Sequence, residues 1–283
     1  MSTSEYILLN RVFTRGVLKE LIAGHAETMY AAAVRRYLDD PQDKNNQALI
    51  CDIYRELGGS HRNEYFYKNT LLNKLLLGVH SPITTTALEE VSVGKSKADF
   101  ILINGRAVVY EIKTELDNLG RLESQLGDYY RAFNSVCVVT CKSNYQTIAK
   151  RLSNTPVGVC LLTRHNSLSV KKVPIEDDSH LNLGAIFKVL RKPEYEAILR
   201  TQYGCLPNVS QFDSYSACKE LFCQIDTKIA YRLFLAALKD RNHVDASLYS
   251  SVPYELKFLV YFSHFERKDY SELERFLDSK FGG

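Results

Sequence analysis

The stretch KADFILINGRAVVYEIK, residues 97–113, constrains the fold more than any other. Two runs rich in Ile, Val, Phe and Tyr, KADFILI and AVVYEIK, flank Asn104-Gly105. Residues of these types suit a pleated, half-buried surface. Asn-Gly between two such runs is a strong short-range signal for a β-hairpin. Successive side chains of a strand point to opposite faces. Asp99, Ile101 and Ile103 therefore share one face of the first strand, and Val109, Glu111 and Lys113 share one face of the second.

Loop length decides whether those two faces coincide. A two-residue turn pairs Ile103 with Arg106, sets Asp99 opposite Tyr110 and turns Glu111 away. A three-residue loop, Ile103-Asn104-Gly105 with the glycine left-handed, pairs Leu102 with Arg106. Asp99 then lies opposite Val109 and diagonal to Glu111, roughly 7–8 Å away. The three-residue loop is predicted. A solvent-facing strand with alternating charges is the plain alternative. Ile101, Ile103 and Val109 line the same face, however, and carboxylates on an apolar face are costly unless paired or metal-bound.

The surrounding chain alternates strands with helices. Residues 5–58 read as helical, with Gly58-Gly59 as a stop, and a further helix spans about 61–77. ITTTALEEVSV is strand-like, and a helix runs through NLGRLESQLGDYYRAF. SVCVVT and VGVCLLT are continuous apolar runs of buried-strand type, with the helical NYQTIAKRLS between them. SLSVKKV completes a hairpin around His165-Asn166. From about 181 onward the patterns are helical, including AIFKVLRKPEYEAILR and PYELKFLVYFSHFERKDYSELERFLDSKF. Interleaved strands and helices imply an α/β fold with a mixed sheet flanked by helices. Three regions are predicted: a helical region over 1–60, a core over 61–175 and a helical domain over 181–283.

Composition narrows the class. A net charge of +3 permits contact with nucleic acid without arguing for it. The seven cysteines form no C-x-x-C pair and no cluster with zinc spacing, so free thiols in a reducing cytoplasm are expected. No apolar stretch is long enough for a membrane span, and the N-terminus lacks a signal-peptide layout.

Asp99, then Glu111-x-Lys113 at the end of a hairpin, resembles the core of the PD-(D/E)XK nuclease superfamily. Gln125-x-x-x-Tyr129 on the next helix resembles the Q-x-x-x-Y motif of its RecB-like branch. The wider stretch, through Asp117 and Arg121-Leu122, resembles an uncharacterised bacterial family placed in that superfamily. Ala98 departs from the pattern, standing where the superfamily name has proline. The close resemblance covers about residues 61–142. It implies a restriction-endonuclease-like core and Mg²⁺- or Mn²⁺-dependent hydrolysis of phosphodiester bonds, in DNA first, with RNA left open.

On that resemblance Asp99 and Glu111 would supply hard oxygen ligands to the ion, with the Ile112 carbonyl. Lys113 would orient water or stabilise the transition state, or else simply pair with Glu111. Glu64, on the preceding helix, would complete the metal shell, with Glu90 as its competitor. Gln125 would orient a ligand or bind phosphate, Arg121 would grip phosphate, and Tyr129 would contact substrate or pack with a polar tip. Asp117 is predicted to cap the helix. His61, one helical turn before Glu64, reads as structural. A catalytically silent module binding nucleic acid or a partner protein is the alternative. Joint retention of Asp99, Glu111, Lys113 and Gln125 favours the enzyme. A homodimer or a regulatory protein partner is also compatible with the helical ends.

Overall fold

A computed structural model describes residues 7–25, 28–60, 62–78, 84–241 and 244–282. The chain divides into two compact units, Met1–Pro82 with Val244–Gly283, and Ile83–His243. The first unit holds α1 (Ile7–Val12), α2 (Arg15–Ile22), α3 (Met29–Tyr37), α4 (Asn46–Ser60) and α5 (Glu64–Leu71). The last of these continues into a π-helical turn, Leu72–Leu77. The long N-terminal helical segment is broken because Thr14 and Thr28 cap new helices, accepting from Val17 N and Ala31 N. Gly58 and Gly59 lie inside α4 rather than ending it. A Cβ at Gly58 would stand 2.7 Å from the Phe66 ring, so the missing side chain serves packing.

In the second unit β1 (Thr86–Val93), β2 (Ser96–Asn104), β3 (Arg106–Lys113), α6 (Leu122–Tyr130), β4 (Val136–Thr140), α7 (Lys142–Arg151), β5 (Gly158–Leu162) and β6 (Leu168–Lys172) follow one another. The six strands form one mixed sheet in the order β1-β2-β3-β4-β5-β6. β3-β4 and β4-β5 are parallel, joined by α6 and α7, and the outer pairs are antiparallel. The continuous apolar runs of β4 and β5 are buried, as strands covered on both faces must be.

Helices α8 (Leu183–Val189), α9 (Lys192–Tyr203), α10 (Ser214–Phe222) and α11 (Thr227–Lys239) complete this unit. The segment AIFKVLRKPEYEAILR yields two helices, because Pro193 and a hydrogen bond from Arg191 N–H to Glu194 Oε2 at 2.6 Å start a new one. The chain then returns to the first unit as α12 (Ala246–Ser250), α13 (Lys257–Phe262) and α14 (Arg267–Asp278).

The three-region division expected from the sequence is thus corrected, for two packing reasons. Ile186, Phe187, Phe222 and Phe234 of the C-terminal helices share one core with Ile101, Val109 and Val138 of the sheet. Asn46 and Asn69 meanwhile tie the chain's two ends together. Asn46 Nδ2 donates to the Phe276 and Ser279 carbonyls at 3.0 and 3.1 Å. Asn69 donates to the Tyr254 carbonyl and accepts from Phe258 N, both at 3.0 Å. Among the described residues no helix is long and apolar enough to cross a membrane, and the seven cysteines are free thiols.

Candidate active site at the open end of the hairpin

The β2-β3 register pairs Ile103 with Ala107, Leu102 with Val108, Ile101 with Val109 and Phe100 with Tyr110. The loop is odd in length, as predicted, but it is centred on Gly105, with Asn104 opposite Arg106. The expected pairing of Leu102 with Arg106 is therefore off by two residues. Parity survives that shift, so Asp99, Glu111 and Lys113 lie on one face. The observed register matches Ile101 with Val109 inside the core and, carried one step past its last pair, sets Asp99 level with Glu111 rather than diagonal to it. Gly105 makes the turn with φ of 71°, a left-handed conformation that costs glycine little.

Two carboxylates facing each other across a ladder repel. Here the ladder stops at Phe100 and Tyr110, and the strand ends find other partners. The Val109 amide donates to Ser135 at the β4 side, so the even-numbered amides of β3 face β2. One of these, Ile112 N–H, donates to Asp99 Oδ2 at 2.7 Å. The Asp99 side chain thus replaces the backbone acceptor that a continuing strand would offer.

Glu111 is 1% exposed and is bonded at both oxygens. Lys113 Nζ donates to Glu111 Oε1 at 2.6 Å and to Gln125 Oε1 at 2.9 Å. Glu111 Oε2 accepts from the Tyr129 hydroxyl at 2.6 Å, and the Lys97 carbonyl lies 2.9 Å from the same hydroxyl. Burial, then the charge of Glu111 and its hydrogen bond, push the Tyr129 phenol far up, so it stays protonated and donates. A buried carboxylate and a buried ammonium are tolerable only when hydrogen-bonded in this way.

The helix α6 supplies two of these contacts from one flank, since Gln125 and Tyr129 are four residues apart. Leu122, Leu126 and Phe133 bury the adjoining stripe in the sheet core. Behind Lys113 the chain is clamped. Thr140 Oγ1 donates to the Lys113 carbonyl at 2.9 Å. Asn144 Nδ2 donates to the Thr114 carbonyl at 2.7 Å. Neither residue carried a sequence signal, because only the β3-β4 register sets Thr140 beside Lys113.

The other expected site residues fall as follows. Tyr129, expected either to contact substrate or to pack with a polar tip, has no exposed surface and turns its hydroxyl to Glu111. Arg121 is exposed at the start of α6. Asp117 accepts from Thr114 N and Oγ1, both at 2.7 Å, while Asn118 caps the turn that leads into α6, correcting the predicted cap. Glu64 belongs to the first unit, where it is exposed and pairs with Lys68 at 2.6 Å. Glu90 has a left-handed φ of 55° and pairs with Lys97 at 2.8 Å. His61 lies outside the described residues. Among the described residues no three His, Cys, Asp or Glu side chains converge as a metal-binding group.

The model of a family described as Bacteriophage P4 protein cII matches residues 59–254. The chain belongs to that family. The matched residues include the whole hairpin and α6, hence Asp99, Glu111, Lys113, Gln125 and Tyr129. A curated member, Protein cII of Enterobacteria phage P4, is 30% identical over 146 residues, which are 50% of this chain and 50% of that protein. The chain thus spans about half the length of the curated relative it matches. No solved structure matches it significantly.

Proposed function

We propose that the protein is a divalent-metal-dependent nuclease with a restriction-endonuclease-like core, acting on DNA in the first instance. The observation that carries this reading is the convergence of Asp99, Glu111, Lys113 and Gln125 where the β2-β3 ladder ends. Two carboxylates from adjacent strands and a main-chain carbonyl at Ile112 are the hard oxygen donors that Mg²⁺ or Mn²⁺ prefers. Mg²⁺ keeps several waters and needs only one or two carboxylates beside substrate phosphate, so the donor set fits without a third acid. A bound ion would supply Lewis acidity at the phosphate and a more acidic water.

The chain's own residues do the rest. The Ile112 amide orients Asp99, and Tyr129 and Lys113 hold Glu111 from its two oxygens. Gln125 fixes the Lys113 ammonium, which would neutralise charge developing on the phosphate. Arg121, exposed at the head of α6, is suited to grip a neighbouring phosphate.

The saturation of Glu111 favours a second reading, a silent module whose buried pair serves stability alone. Cleavage assays separate the two. Linear, circular and single-stranded DNA and RNA are incubated with Mg²⁺, Mn²⁺ or EDTA. The nuclease reading expects metal-dependent cutting that falls at least about a hundredfold in Asp99→Ala and Lys113→Ala, as for loss of a transition-state contact. Inactivity on every substrate, or normal cutting by both variants, overturns it.

A further inference from the structure

We propose that the second unit carries a separate binding site, at the turn end of the hairpin, for an organic phosphate of mononucleotide size. A cavity of about 450 Å³ lies there, lined by Gly105 and Arg106 on one side and by α11 on another. That volume falls within the range of about 300–1,000 Å³ usual for small-molecule sites. The candidate active site is at the other end of β3. Arg106 and Glu111 are five residues apart on an extended strand, about 17 Å at ~3.4 Å per residue.

The lining is amphipathic. Ile103, Leu181, Leu235 and Ala236 offer apolar surface, and Tyr231 stands with them. Arg106, Lys228, Arg232 and Lys239 bring four cations against Glu176 and Asp178. Both acids are already engaged: Asp178 accepts from Asn134 Nδ2 at 2.9 Å, and Glu176 lies 3.8 Å from Arg106. Lys228, Arg232 and Lys239 follow at i, i+4 and i+11 along one flank of α11 and are exposed. Among the described residues none of the three makes an ion pair with an acid. The cavity therefore has a surplus of cationic groups beside an apolar wall.

The wall stands without a ligand. The Tyr231 hydroxyl donates to Asn134 Oδ1 at 2.8 Å and accepts from Asn134 N at 3.2 Å. The Asn134 carbonyl accepts from Asp177 N at 2.8 Å. Thr86 Oγ1 donates to the Lys239 carbonyl at 2.6 Å, tying the end of α11 to β1. Such preorganisation reduces the ordering cost of binding. A phosphate would meet the Arg232 fork and the lysines, and a planar organic body the apolar wall. The two acids in the lining disfavour a continuous polyanion, so a single small ligand fits better than a strand.

This proposal does not rest on the nuclease reading. Its test is calorimetric titration of the full chain in EDTA with adenosine 5′-monophosphate, uridine 5′-monophosphate, inorganic phosphate and adenosine. One saturable site for a nucleoside monophosphate is expected. Arg232→Glu should weaken it at least about tenfold, the scale of one lost charge-assisted contact. Lys228→Gln, a milder surface change, should weaken it in the same direction. The proposal is overturned if neither nucleotide binds, or if inorganic phosphate or adenosine matches the nucleotides. Unchanged affinity in a folded Arg232→Glu or Lys228→Gln protein would also overturn it.

Discussion

The Tyr129 hydroxyl stands 2.6 Å from a Glu111 carboxylate that is almost wholly withdrawn from solvent, and the tyrosine ring itself is fully buried. A neutral phenol is thus spent on holding a charge. Tyr129→Phe removes this donor and little else. It should cost about 1.5–3 kcal/mol, the value of a hydrogen bond to a charged group. Urea denaturation measures it, and an unchanged midpoint would mean that Lys113 alone holds Glu111.

Lys113 and Glu111 form a buried pair at 2.6 Å. Lys113→Met leaves the carboxylate buried without its cation, at a cost of about 3–5 kcal/mol. Glu111→Gln combined with Lys113→Met should recover part of that loss, because no net charge then remains buried. A double-mutant cycle in chemical denaturation checks the coupling. Strictly additive single effects would show that the pair is not energetically joined.

Gly105 has a φ of 71°, and a Cβ added there would meet nothing within 4 Å. The penalty for Gly105→Ala is therefore conformational rather than steric, about 1–2 kcal/mol. Gly105→Asn should cost less, since asparagine tolerates the left-handed region. Thermal melts of the two variants give the comparison, and equal stability of Ala and Gly would refute the turn geometry.

Asp52 sits between Lys44 and Arg55, each with a nitrogen 2.7 Å from its carboxylate. Burial raises its pKa, but hydrogen bonds and charge from Lys44, then Arg55, outweigh that and hold it below the usual value. A carboxyl whose folded pKa lies below its unfolded one, about 3.9, stabilises the fold fully above that unfolded value. The contribution disappears as pH falls through the folded pKa. Asp52→Asn should flatten the loss of stability between about pH 5 and pH 2, measured by denaturant midpoints across that range. A parallel slope in wild type and variant would remove Asp52 from the acid response.

Much of the second unit is legible in the sequence. Its strands announce themselves as β-branched or continuous apolar runs, and Asn104-Gly105 and Asn166 mark two of the turns, with Asn166 at φ 56°. Parity put Asp99, Glu111 and Lys113 on one face because alternation along a strand admits only two answers. The i, i+4 spacing of Gln125 and Tyr129 put both on one flank of α6. What that flank overlies was not legible. The partner of Tyr129 follows from sheet register and from how α6 seats on it, and neither is a local property.

The domain boundaries were illegible for a similar reason. Asn46 and Asn69 bond to residues some 185 to 233 positions away. No pattern in a window of neighbouring residues encodes such a partner.

Local chemistry by itself determined the strand and helix types and which side chains share a face within each strand. These rest on backbone sterics and side-chain periodicity, which act over a few residues. Tertiary structure alone decided that Asp99 meets the Ile112 amide and that a buried phenol holds Glu111. It alone decided that segments around 105, 134, 178 and 232 enclose a cationic cavity. Burial and charge compensation are settled between elements far apart in the chain, where many weak contacts choose one register over another.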